Sequence, residues 1–109
     1  MRIQLIFILT ILLAVTSSAK PIDIFFGTSG KNSEGIYYAT FNPENGKFTP
    51  SKLAARIGSP GFLASHPNGK ILYSVGRWDE GSGALGYHIG KNGELTEFTR
   101  MICPDGGSA

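Results

Sequence analysis

Phe62-Leu63-Ala64-Ser65-His66-Pro67-Asn68-Gly69-Lys70-Ile71-Leu72-Tyr73-Ser74-Val75 sets two short apolar runs on either side of an Asn-Gly dipeptide. Asn-Gly between such runs signals a tight β-hairpin, because a type I′ turn needs positive φ at both central residues. The dipeptide occurs three times, at Asn45-Gly46, Asn68-Gly69 and Asn92-Gly93. Outward from these turns, seven strands are expected: Ile22–Phe26, Ile36–Phe41, Lys47–Ile57, Phe62–Ser65, Ile71–Val75, Ala84–Ile89 and Leu95–Ile102. Pro50 cannot donate to a ladder, so Lys47–Ile57 reads as an edge strand. With 15 glycines and no helical period after residue 20, the chain reads as all-β.

The strands repeat. Gly35–Phe41 superposes on Gly83–Ile89, with Tyr37, Ala39 and Phe41 matching the apolar Leu85, Tyr87 and Ile89. Lys47-Phe48-Thr49 then falls on Glu94-Leu95-Thr96, and Ile22–Gly27 falls on Ile71–Gly76. A period of roughly 40–50 residues with four strands per unit is the mark of a β-propeller. Lettering strands A to D from the ring axis outward, Phe62–Ser65 to Leu95–Ile102 make one whole blade. The first unit holds B, C and D but no A strand. Residues 20–109 thus amount to about two blade units of a larger propeller, an incomplete domain, since a ring needs at least about four blades.

Residues 1–19 read as an export signal. Arg2 supplies a basic start and Ile3–Val15 an apolar run, with Ser17 and Ala19 placed for cleavage before Lys20. The run is shorter than the roughly 20 residues that span a bilayer, so no stable membrane anchor is expected after cleavage. A periplasmic or extracellular location follows. The net charge of +2 comes with no basic run, which argues against a nucleic-acid partner. One cysteine, Cys103, and two histidines offer no metal-ligand spacing, and no cofactor is expected.

Phe26-Gly27-Thr28-Ser29, Glu34-Gly35-Ile36-Tyr37, Asn42-Pro43-Glu44-Asn45-Gly46, Phe62–Val75 and Asn92-Gly93-Glu94-Leu95-Thr96 together resemble the N-terminal part of the lactonase family. These are seven-bladed propellers that include the propeller-type 6-phosphogluconolactonases and a muconate-cyclising enzyme. The resemblance implies a hydrolase in carbohydrate metabolism that opens a sugar lactone, with a small-molecule sugar lactone or carbohydrate as partner. Two departures stand out. Family members acting on the phosphorylated lactone serve a cytosolic route, whereas this chain carries an export signal. Where members often read Val-Asn-Glu, this chain has Val75-Gly76-Arg77-Trp78. The family's proposed catalysts lie mainly on later blades, so none carries over.

Topology sorts the remaining candidates. The Asn-Gly turns share one face, and Gly27–Glu34, Gly58–Gly61, Gly76–Ser82 and the tail from Cys103 share the other. His66 begins a hairpin, where its imidazole is expected to satisfy a backbone group. His88 is expected as a hydrogen-bonded histidine between blades. In the Gly76–Ser82 loop, Arg77 could stabilise an oxyanion while Asp79 or Glu80 activates water; an ordinary solvated loop with Arg77 paired to a carboxylate is the plainer reading. Backbone amides near Gly61 could meet a ligand, and Lys31 reads as solvated. Cys103 has no visible base to make it a nucleophile. The alternatives to a lactonase are a non-catalytic exported propeller binding carbohydrate or protein, and a truncated reading frame without activity of its own.

Overall fold

A computed structural model describes residues 20–104; the expected export signal, and the chain from residue 105, lie outside the described residues. Among the described residues eight strands, all antiparallel, form two sheets: β1 (Ile22–Phe26), β2 (Gly35–Asn42), β3 (Lys47–Phe48) and β4 (Lys52–Arg56), then β5 (Leu63–Ser65), β6 (Ile71–Trp78), β7 (Gly81–Ile89) and β8 (Leu95–Ile102). A single 3₁₀ turn, Lys91–Gly93, links β7 to β8. The all-β architecture holds, and no helix among the described residues is long and apolar enough to cross a membrane.

The second sheet is a meander, β5-β6-β7-β8, and makes a whole blade. In the first sheet β2 pairs with β1 on one side and with both β3 and β4 on the other. β3 and β4 are two halves of one strand position. The expected continuous strand over Lys47–Ile57 is broken around Pro50, which has no N–H for the ladder. Thr49 patches the break: its N–H donates to the Thr40 carbonyl at 2.9 Å, and its Oγ1 accepts the Thr40 N–H at 2.9 Å. The first blade therefore has three strand positions, and β1 has no neighbour on its inner side among the described residues.

The two sheets pack face to face. Period-2 alternation turns Phe25, Ile36 and Tyr38 of the first sheet towards Leu72, Leu85 and Tyr87 of the second, and Ile57 plugs the seam between them. Ile36 is fully buried and Leu85 only 2 % exposed. The repeat explains the choice of faces. Tyr37 and Phe41 are the superposition partners of Leu85 and Ile89, so they line the back of the first sheet just as Leu85 lines the back of the second. Each blade thus presents its front to the back of the next.

Two glycines mark where the sheets touch most closely. A Cβ on Gly76 would strike Ile57 and Leu85, and one on Gly93 would overlap the Tyr38 ring. The departure at Val75-Gly76 therefore has a packing reason: the position has no room for a side chain beside Ile57.

The three Asn-Gly turns are not alike, which corrects the uniform type I′ expectation. Only Asn92-Gly93 has positive φ at both residues, 56° and 73°, closed by the Glu94 N–H to the Lys91 carbonyl at 3.1 Å. At Asn45-Gly46 and Asn68-Gly69 only the glycine is left-handed. There a longer loop carries Pro43 or Pro67, and the asparagine Oδ1 accepts the N–H two residues on, from Lys47 at 3.0 Å or Lys70 at 2.8 Å. Proline presets negative φ, so each of these loops turns right-handed first and ends on a left-handed glycine.

Candidate functional site

The end of the molecule opposite the Asn-Gly turns gathers the Gly27–Glu34 loop, the Gly58–Gly61 link and the tip joining β6 to β7. A cleft of about 490 Å³ there is bounded by Glu34, Arg56, Gly58, Arg77, Glu80 and Arg100, among others. Arg77, Asp79 and Glu80 are thus brought together at one mouth, but not on a long loop. β6 runs on to Trp78 and β7 begins at Gly81, so Arg77 pairs with Ser82, Trp78 with Gly81, and only Asp79-Glu80 form the turn. The glycine-rich stretch Gly76–Ser82, expected to loop, instead completes a hairpin ladder. Gly76 and Gly83 let the strands run tight against Ile57 and the Met101 carbonyl, where side chains would clash.

Arg77 has a backbone role as well. Its N–H donates to the Gly58 carbonyl at 2.8 Å and its carbonyl accepts the Gly58 N–H at 3.2 Å, tying the hairpin to the link between sheets. The expected pairing of Arg77 with a carboxylate is not formed: the Arg77 and Asp79 side chains are exposed, with no hydrogen bond or ion pair to other described residues.

Beside them, the Arg100 guanidinium lies over the Trp78 ring, 4.6 Å from its centre. A fork of two hydrogen bonds, Nε to Glu97 Oε2 at 2.6 Å and Nη2 to Oε1 at 2.7 Å, holds it there. Those bonds, reinforced by the positive charge, hold the Glu97 carboxyl below its usual range and raise Arg100. Residues three apart on a regular strand point to opposite faces. Here the register shifts between Gly86 and Tyr87, leaving Phe98 as the extra residue, so Glu97 and Arg100 share a face. No turn or repeat signal in the sequence reveals that bulge, and Arg100 is a residue sequence reasoning missed. Glu34 and Arg56 complete the rim with an exposed ion pair at 3.4 Å.

Other expectations resolve individually. His66 Nδ1 accepts the Asn68 N–H at 3.1 Å, so it serves its turn as expected. His88 makes no hydrogen bond to a described residue; it is exposed and stacks on Phe98, ring centres 4.2 Å apart, on the front of the second sheet, the face that the repeat sets against a following blade. The Gly61 amide is already donated to the Ser59 carbonyl at 2.8 Å and is not free for a ligand. Ser59, with φ 49°, is a left-handed residue the sequence did not betray. Thr28 closes its loop by donating to the Gly35 carbonyl at 2.6 Å, and Lys31 is exposed. The half-buried Cys103 thiol is free, while its N–H donates to the Ser82 carbonyl at 2.8 Å. A larger hollow of about 740 Å³, lined by Phe26, Thr28, Lys31 and Tyr37, opens on the back of the first sheet, away from the hairpin. Among the described residues no group of three His, Cys, Asp or Glu side chains could hold a metal ion.

Comparison with known proteins places this geometry. The profile described as "Lactonase, 7-bladed beta-propeller" matches residues 23–108. A 6-phosphogluconolactonase of Bacillus subtilis is 42% identical over 80 residues, which cover 72% of this chain and 23% of that protein. A crystal structure from Lactobacillus plantarum superposes with a TM-score of 0.69 at 28% identity, covering 78% of this chain and 25% of that one. A candidate 6-phosphogluconolactonase of Bacteroides fragilis gives 0.68 at 23% identity, with 80% and 25% covered, and shows the shared fold. The chain spans about a quarter of the length of the relatives it matches. With a family match over nearly all of its described strands, the chain belongs to the lactonase family of seven-bladed β-propellers.

Proposed function

We propose that these residues are the first blades of an exported lactonase that hydrolyses a cyclic sugar ester. The observation that carries this is the 42% identity to a 6-phosphogluconolactonase, held across both blade units. The hairpin chemistry is compatible. Asp79 or Glu80 takes a proton from water as it attacks the lactone carbonyl, and Arg77 offsets the charge on the tetrahedral oxygen. Collapse of that intermediate breaks the ring C–O bond and releases a hydroxy acid. Export rests on the Arg2, Ile3–Val15 and Ser17–Ala19 pattern, and it favours a lactone without a phosphate group.

The test is to express the full-length protein and assay a panel of aldonolactones, with and without phosphate. Turnover above buffer is expected, falling at least about tenfold in Arg77→Ala; no turnover on any lactone contradicts the enzymatic reading. Amino-terminal sequencing of the exported protein should begin at Lys20. The exposure of Asp79 and Glu80 also suits a second reading, a non-catalytic exported propeller that binds carbohydrate or protein. Glycan binding without lactone turnover would favour it.

A further inference from the structure

The link into β5 carries a bulge with an unusual occupant. Gly58 pairs with Arg77, and the Phe62 carbonyl accepts the Val75 N–H at 3.2 Å. Between those contacts β6 has one residue, Gly76, and the opposing chain has three: Ser59, Pro60 and Gly61. Ser59 sits at φ 49°, a conformation that glycine and asparagine adopt readily and serine does not. Its surroundings hold it there from every side. Pro60 is fully buried, its carbonyl lies against Gly27 with no room for a Cβ, Gly58 is bonded in both directions to Arg77, and the Gly61 N–H closes on the Ser59 carbonyl.

A glycine at position 59 would relax the backbone with no loss of packing, since Ser59 is exposed. The hydroxyl makes no hydrogen bond to another described residue. Strained residues fixed by their surroundings, and bulges that re-aim a side chain, gather at ligand sites. This one opens the innermost strand of the whole blade, on the same end of the molecule as Arg77.

We infer that Ser59 is a ligand-contact residue, its hydroxyl held out by the strained bulge to hydrogen-bond a polyhydroxylated sugar ring or the hydroxy acid formed from it. The inference rests on the lactonase reading for the identity of that ligand. A serine hydroxyl both donates and accepts, which matches a sugar hydroxyl.

The test uses Ser59→Gly, Ser59→Ala and Ser59→Asn in the full-length protein. Ser59→Gly should leave the thermal midpoint unlowered yet raise KM for an aldonolactone about fivefold, as loss of one hydrogen bond would, with kcat little changed. Ser59→Ala, which keeps the Cβ and its strain, should raise KM similarly with the midpoint little changed. Ser59→Asn, at ease in the left-handed region and still polar, should recover most of the affinity. A KM within about twofold of wild type in Ser59→Gly overturns the inference. If the wild type turns over no lactone, the lactonase reading fails, and calorimetric titration with gluconate and with glucose decides the inference instead. Weakened binding in Ser59→Gly upholds it; unchanged binding, or none by the wild type, overturns it.

Discussion

Tyr38 shows how one side chain joins local chemistry to the blade seam. Its ring packs against Phe25 in a tilted arrangement, with centres 5.4 Å apart, and fills the space left by Gly93. Its hydroxyl donates to Asp23 Oδ1 at 2.6 Å. That hydrogen bond, then burial, then the charge of Asp23 push the phenol from 10.0 to about 12. A group whose folded value is raised is stabilising wherever it is protonated. The contact therefore contributes in full below about pH 10 and is lost as pH rises through about 12. Asp23→Asn should bring the Tyr38 ionisation back towards 10 and flatten the stability loss over that window. Ultraviolet titration, with Tyr38→Phe to assign the step, checks this; an unmoved step in Asp23→Asn contradicts it. Neither residue announces the pairing in the sequence, because it depends on the cross-strand register of Asp23 opposite Thr40 and Phe25 opposite Tyr38.

The elements themselves were largely legible. β1 and β8 run as expected, because short apolar runs bounded by turn residues leave few other readings. Strand ends were less so. β6 and β7 extend through glycines and Arg77, where local propensity points to a loop and cross-strand hydrogen bonds override it. The turns divide on their neighbours: proline makes two of them right-handed at first, and only the proline-free Lys91–Glu94 turn is left-handed throughout. That turn is also a packing element. Gly93→Ala combines a φ of 73° with overlap on the Tyr38 ring, whereas Gly46→Ala has φ 71° and open space. Denaturant unfolding of the folded protein should show Gly46→Ala losing about 1–2 kcal/mol and Gly93→Ala at least about 2 kcal/mol more. Equal losses would mean that the turn does not wedge the seam.

At the scale of the molecule, repetition decides which surfaces are open. Front-to-back packing buries one face of each blade and leaves the back of the first and the front of the second bare. Phe48 on the first is 57% exposed, and Phe62 and Met101 on the second are 62% and 68% exposed. The inner edge of β1 likewise has no strand partner among the described residues. By the repeat, each bare face resembles one half of the seam already formed, so copies of the segment can mate head to tail. Residues 20–109 produced alone should self-associate and bind a hydrophobic dye, with static light scattering reading a mass above that of the monomer. A monomer with one cooperative thermal transition would contradict this.

The family came from the resemblance carried by Phe62–Val75 and its companion motifs. Abundant glycines, Asn-Gly turns and alternating apolar residues sufficed for the all-β class and the two blade units, because these depend on local backbone preference and on which residues must leave water. They also sorted the loops onto two ends, since strand order alone dictates which connections emerge together. The arrangement of the site came only with the tertiary structure. The Phe98 bulge brings Glu97 and Arg100 onto one face over Trp78, the ladder converts the Arg77–Glu80 loop into a hairpin tip, and the bulge after Gly58 strains Ser59 into the open. Each of these depends on the register between strands far apart in the chain, and one inserted residue changes the face to which every following side chain points.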